Sequence, residues 1–276
     1  MYTKIIVPFD GSDFSARSIP VGQEVARATN AVLRIVAFGT TASHADSLSL
    51  ATRSEAERIT DVDVEWFADR VGSVVEAIRN ELTKEPGALI CMSSVGRSHV
   101  APALGSVADG VLEETFGPLL LVGPDVTVDQ FSLSGPMLVC TDGSDAANAI
   151  LPIATQWAIT LPVQPWVINV VDPDALRDPG DLARVDHHVN FARRVAHMMQ
   201  HDVATTVQYE VLHSNHPART IVEYATDNTA SVIAMATHGA SGLRRFALGS
   251  TTMSVVHHAP CPVLVDRSPQ LPTDSP

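Results

Sequence analysis

The sequence predicts a tandem α/β protein: two similar doubly wound domains, each a five-stranded parallel sheet flanked by helices, with strand order 3-2-1-4-5. Three observations predict it. The chain repeats itself at a long period. Strand-like apolar runs alternate with helical stripes in each copy. Both copies open with a strand followed by Asp, Gly and Ser, as VPFDGS and VCTDGS.

The repeat sets the domain organisation. At an offset of 132 residues, Asp10-Gly11-Ser12-Asp13 falls on Asp142-Gly143-Ser144-Asp145, Pro20 on Pro152 and Phe38 on Val170. Near the carboxyl ends the offset becomes 144, and Leu104-Gly105-Ser106 meets Leu248-Gly249-Ser250 while Pro118-Leu119-Leu120 meets Pro262-Val263-Leu264. The second copy therefore carries a 12-residue insertion, placed between Asp172 and Asp202. A period this long indicates two copies of one domain, because solenoid repeats are only about 20–50 residues long. Gly-Pro pairs flank the break from Gly123 to Pro136. The expected division is domain 1 over 1–124, a linker over 125–135, domain 2 over 136–268 and a tail over 269–276.

The second copy illustrates the elements. MLVCT is a short apolar run suited to a strand buried on both faces. Ser144 can cap the helix that follows. Ile150, Ile153, Ala154, Trp157, Ala158 and Leu161 make one apolar stripe at spacings of three and four. Pro152 should break a hydrogen bond in that helix, and its twin Pro20 predicts the same kink in the first copy. A strand follows near Trp166–Val171, then a helix near Leu182–His201, a strand near Ala204–Val211 and a helix near Ala218–Asp227. A strand near Val232–Thr237, a loop, a helix from Ser250 and a strand near Val263–Val265 complete the copy. Alternation of this kind implies parallel strands and right-handed crossovers. Ligands of such sheets sit beyond the carboxyl ends of the strands, where the strand order reverses.

Composition narrows the function classes. The formal net charge of −13 repels nucleic acid phosphate, so no nucleic acid partner is expected. No apolar run reaches the roughly 18–20 residues of a membrane helix, and the first residues lack the features of a signal peptide, so no membrane association and a cytoplasmic location are expected. Cys91, Cys140 and Cys261 are far apart, form no CxxC and read as buried free thiols.

The candidate chemistry lies at the strand ends. Asp10 and Asp142 stand where a strand stops and glycine permits a tight turn. Either they serve the next helix as caps or, with Ser12 and Ser144 doing the capping, they accept hydrogen bonds from a ligand such as a ribose. The loop ATHGASGLRRFALGST follows the fourth strand of the second copy. Gly239 lets the backbone approach a bulky anion. Gly249-Ser250 opens a helix whose amides carry the positive end of its dipole. Ser250 and Thr251 add hydroxyls, Arg244 and Arg245 add cations, and His238 either orients a phosphate or caps the strand. The pattern suits a polyphosphate. The pair His197 and His201 has the i, i+4 spacing of metal ligands but lacks a third partner; solvent-facing histidines and no metal site are expected. His187-His188 and His257-His258 are adjacent and point apart. There is no GxSxG elbow, no GxxxxGK[ST] string and no carboxylate pair placed to activate water.

The order of strand-DGS, a degenerate GxxG, nine residues, GS, helix and APCPVLV resembles the universal stress protein family, over essentially the whole chain and twice. The resemblance implies binding of an adenine nucleotide, ATP, with Mg²⁺ able to accompany its phosphates. It implies that the Asp after the first strand holds ribose, main chain at the end of the second strand meets adenine, and the glycine loop with its GS holds phosphate. Carried over, these positions are Asp142, Val170, Ala236, Gly239, Gly249, Ser250 and Thr251, with Ala236 in place of the first glycine. In the first copy they are Asp10, Phe38, Val95, Gly105 and Ser106. There Met92 and Val95 replace the early glycines, Gly96 falls one residue late, and Val100 and Ala101 stand opposite Arg244 and Arg245, leaving Arg97 and His99 nearby. β-Branched Val95 disfavours positive φ and close approach, so a weaker first site is expected. The resemblance further implies a stress-response regulator; with no placed base or metal-binding carboxylate in the sequence, no enzymatic activity beyond weak ATP hydrolysis is expected. It also implies contact between last strands, Leu119–Val122 and Val263–Val265, and a homodimer through those edges. A slow ATPase or nucleotidyl-transfer enzyme and a nucleotide-free protein scaffold are the alternatives.

Overall fold

The computed structural model describes residues 2–96, 104–129, 131–173, 182–237 and 248–267. The first half runs β1 (Lys4–Pro8), α1 (Asp13–Ala16), α2 (Ser18–Thr29), β2 (Val32–Gly39), α3 (Ala42–Glu57), β3 (Val64–Arg70), α4 (Val74–Lys84), β4 (Ala88–Ser93), α5 (Ser106–Glu114) and β5 (Gly117–Val122). The second half repeats it as β6 (Pro136–Cys140), α6 (Asp145–Asn148), α7 (Leu151–Thr160), β7 (Gln164–Val171), α8 (Leu182–Asp202), β8 (Gln208–His213), α9 (Pro217–Asp227), β9 (Val232–Ala236), α10 (Ser250–His258) and β10 (Val263–Arg267). Part of the insertion lies in α8, which has 21 residues against 16 in α3.

Both halves have the expected order, β3-β2-β1-β4-β5 and β8-β7-β6-β9-β10, with parallel pairing throughout each. The halves join into one ten-stranded sheet because β5 and β10 pair antiparallel, Leu121 opposite Val263 and Leu119 opposite Val265. This is the expected last-strand contact, made within one chain. The edges named for a homodimer therefore pair with each other inside the chain, and β3 and β8 are the outer strands of the sheet.

Alternate side chains of each strand feed opposite faces. Ile5, Val7 and Leu120 join a core with α2, α7 and α8, which also takes Val126 and Leu133 of the linker. Ile6, Leu119 and Leu121 join the other core, under α4, α5, α9 and α10. Each core contains residues from both halves, so neither face has a gap at the junction.

The two prolines do less than expected. The helix after β1, and again after β6, is already divided, and Pro20 and Pro152 fall third in α2 and second in α7. Amides in a first turn have no intrahelical acceptor, so no hydrogen bond is lost.

Side chains bind the halves together away from the strands. Trp157 Nε1 donates to Tyr2 Oη at 2.8 Å, with the rings edge to face at 6.4 Å. Arg17 donates to the carbonyl oxygens of Pro124, at 2.6 Å, and Val126. Gly123 admits no side chain, since a Cβ there would lie 2.1 Å from Val256 O.

Burial pushes the Tyr2 phenol up from 10.0 to about 12, with its bond from Trp157 acting in the opposite sense. A raised folded pKa means that the neutral phenol's contribution is complete below pH 10 and is lost as pH rises through about 12. Tyr2→Phe is expected to cost about 1 kcal/mol at neutral pH, because the buried indole N–H loses its acceptor. It is also expected to flatten the fall in stability between pH 10 and 12, both checked by urea unfolding.

Candidate ligand-binding cavities

The strand-Asp-Gly-Ser turns have one geometry. Gly11 and Gly143 sit at φ +80° and +89°, the left-handed region that glycine enters without steric cost. Asp10 Oδ1 accepts from Ser12 N at 3.0 Å and Ser12 Oγ at 2.6 Å. Asp142 Oδ1 accepts from Ser144 N at 2.9 Å and Ser144 Oγ at 2.6 Å. Ser12 Oγ then accepts from Ser15 N, and Ser144 Oγ from Ala147 N, capping the short helices. The serine is the cap, and one oxygen of the aspartate braces it.

A cavity of about 280 Å³ opens at the carboxyl ends of β6, β7 and β9. Asp142, Val170, Ala236, Gly249, Ser250 and Thr251 all line it. Gly239 lies outside the described residues, as do His238, Arg244 and Arg245. The start of α10 is tied down by Gly249 N donating to Thr237 O at 2.7 Å and Thr252 Oγ1 donating to Ala236 O at 3.0 Å. The repeat did not single out Thr141, Asn148 and Asn169. Thr141 Oγ1 accepts from Gly143 N and donates to Asn148 Oδ1, while buried Asn169 Nδ2 donates to Thr141 O at 2.8 Å. They fix the turn that carries Asp142. For Asn169 the signal in the sequence was polarity within an apolar strand, β7.

The first-half cavity is the larger, about 460 Å³, and is lined by all five expected residues, Asp10, Phe38, Val95, Gly105 and Ser106. Met92 and Val95 are buried in its wall. The positive-φ penalty expected at Val95 does not arise: the described non-glycine residues with positive φ are Asn30 and Thr229. Gly96, one residue late in the pattern, faces the aspartate, since a Cβ there would stand 3.8 Å from Asp10 Oδ2. Gly105 donates to Ser94 O at 2.8 Å, and a Cβ on it would come within 3.1 Å of Gly96 N. Arg97, His99, Val100 and Ala101 lie outside the described residues.

α5 and α10 begin at Gly105 and Gly249, neither of which supplies a side-chain cap. The first-turn amides of both nine-residue helices thus keep their donors for something other than a capping side chain. Each cavity sets such a helix start opposite one aspartate. Among the described residues, no Lys or Arg lines either cavity. His201 lies on the surface with Nδ1 3.0 Å from Asp202 Oδ1, and His197 is exposed.

These features define a class: a tandem, doubly wound α/β protein with a cavity at the carboxyl edge of each half. The model of the universal stress protein family matches residues 1–123 and 134–267, and the chain belongs to that family. A universal stress protein of Mycobacterium tuberculosis is 27% identical over 206 residues, 73% of this chain and 67% of the relative. One from Methanocaldococcus jannaschii is 30% identical over 141 residues, 49% of this chain and 82% of its own. The crystal structure of a universal stress protein from Archaeoglobus fulgidus shares the fold with a TM-score of 0.73 at 20% identity, covering 98% of this chain and 100% of that one.

Cys140 lines the second cavity yet is buried, and burial pushes its thiol up to about 12; Cys91 and Cys261 are raised by burial as well. Thiols so protonated are poor nucleophiles. The native protein is expected to show no fast reaction with a disulfide reagent at pH 7.5, and all three cysteines are expected to react in guanidinium.

Proposed function

We propose that this universal stress protein is a regulatory module that binds an adenine nucleotide, with ATP and phosphate-bound Mg²⁺ as its occupant, and signals occupancy through the junction of its halves. One observation carries the reading most. Four separate segments, at residues 142, 170, 236 and 249–251, converge on one cavity at the switch point of the second sheet half. The arrangement has room for a base beside β7, a hydrogen-bonding carboxylate in the middle and a polyphosphate at the start of α10. That helix start offers backbone donors and hydroxyls, which suits a phosphate chain. The volume of the first cavity supports a second nucleotide there. The sequence offers no carboxylate pair placed to activate water, so slow hydrolysis at most is expected.

Native mass spectrometry of the purified protein is expected to show an adenine nucleotide mass, and calorimetry to show ATP uptake. Gly249→Val is expected to remove the second site. Asp142→Asn keeps an oxygen for Ser144 and puts a donor where the ribose hydroxyls need an acceptor; it is expected to weaken ATP roughly tenfold with little change in melting temperature. Unchanged affinity in both variants would overturn the assignment. Turnover of many ATP per minute that disappears in Gly249→Val would establish an enzyme instead. Absence of any nucleotide, bound or added, would leave the scaffold reading.

A further inference from the structure

We infer that the two cavities take different ligands: the first takes a nucleoside monophosphate whose phosphate carries an apolar group, in preference to ATP. The inference rests on the nucleotide reading above and narrows it for one half of the chain. α5 and α10 start alike, at Gly105-Ser106 and Gly249-Ser250, but the flanks of these starts differ. Val107 lines the first cavity where Thr251 lines the second, each partly buried. Leu104 is also partly buried and lines the first cavity, whereas its twin Leu248 is only 2% exposed and does not line the second. Val95, a third lining residue, approaches from the loop after β4: a Cβ on Gly105 would lie 3.6 Å from Val95 Cα. The start of α5 is thus bordered by three alkyl side chains. Ser15 and Ser93 line this cavity too, but their hydroxyls serve the protein's own backbone. Ser15 Oγ donates to Ser12 O at 2.9 Å, and Ser93 Oγ accepts from Val95 N at 3.3 Å.

That border decides how much charge the site can hold. One phosphate at the start of α5 meets backbone amides and the exposed Ser106 hydroxyl. A second or third phosphate would lie against Val95, Leu104 or Val107. No Lys or Arg among the described residues lines the cavity to offset it, and charge removed from water without partners is costly. An alkyl or acyl group on the first phosphate gains where further phosphates lose, roughly fourfold in affinity per buried methylene. Volume agrees with this. The first cavity holds about 460 Å³ and the second about 280 Å³, so the larger space goes with the alkyl border. The nucleoside end keeps its place, because the Asp10 turn repeats the geometry of the Asp142 turn and Phe38 lines the wall at the end of β2.

The test uses the full chain carrying Gly249→Val, so that only the first cavity is read, and titrates ATP, AMP and the butyl ester of AMP calorimetrically. The ester is expected to bind roughly tenfold tighter than ATP, and tighter than AMP as well. Leu104→Ala is expected to cost the ester several-fold more than it costs AMP. Val107→Thr, which supplies the hydroxyl of the second copy, is expected to raise ATP affinity several-fold. ATP binding as tightly as the ester, or the ester binding no more tightly than AMP, would overturn the inference, as would uptake of none of the three. The unaltered chain separates that last result from the wider reading. ATP uptake that Gly249→Val removes leaves the second cavity a nucleotide site, whereas no ATP uptake by the unaltered chain sinks both. Thermal melts of each variant identify any loss caused by unfolding.

Discussion

The antiparallel pairing of β5 with β10 is the interaction on which the rest of the molecule depends. Leu119–Val122 and Val263–Val265 are apolar on both faces, and each would otherwise be an exposed edge able to recruit another chain. Paired, they leave Leu119, Leu120, Leu121, Val263 and Leu264 almost fully buried. The pairing also reverses strand direction once, at the centre of the sheet. Because each cavity lies at the carboxyl ends of its own parallel strands, that reversal puts the two cavities at opposite edges of the sheet.

The same junction is wired to the cavities by the chain itself. α5 begins at the first cavity and is separated from β5 by only Thr115 and Phe116; α10 begins at the second and leads into β10 after a turn of four residues. Each helix that offers amides to a ligand thus continues into a junction strand. After β5 the chain crosses the carboxyl end of α10 so closely that only glycine fits at 123. Arg17, which follows the α1 turn of the first site, holds the linker at Pro124 and Val126. Elements that contact one cavity therefore bear directly on the connection between halves.

Much of this was legible in the sequence because the signals are local or periodic. The long offset gave two domains, strand-helix alternation gave parallel sheets, and the glycines at 11 and 143 marked turns that need positive φ. What was not legible depends on three-dimensional proximity. Asn148 and Asn169 have no counterparts in the first copy and gain meaning only when both meet Thr141. Val95 looked obstructive because φ was assumed positive; its side chain lies in the wall instead. The last-strand edges were read correctly as contacts, but sequence cannot say whether such edges meet within a chain or between chains. The two copies also stabilise their turns differently. In the first, Asp10 N donates to Ser15 Oγ; in the second Ala147 stands at that position, and Thr141, Asn148 and Asn169 supply the polar network.

Electrostatics impose a last constraint. A protein of net charge −13 that holds an anion must do so against its own field. Each cavity also contributes a carboxylate to its lining, so the attractive part must come from close by. Two sources remain in the described residues. One is the glycine-initiated helix start, whose amides have no side-chain acceptor, and the other is the hydroxyls at Ser106 or at Ser250 and Thr251. Both are short-ranged, acting within the first helical turn, whereas repulsion between exposed charges is screened beyond about 10 Å at 0.1 M salt. Recognition built this way favours a ligand whose negative charge can be pressed against the helix start while its uncharged remainder extends past the aspartate toward the apolar wall. That separation of charge from ring is the property that distinguishes a nucleotide from a free polyphosphate, and it is why the apolar ends of the cavities matter as much as the glycines.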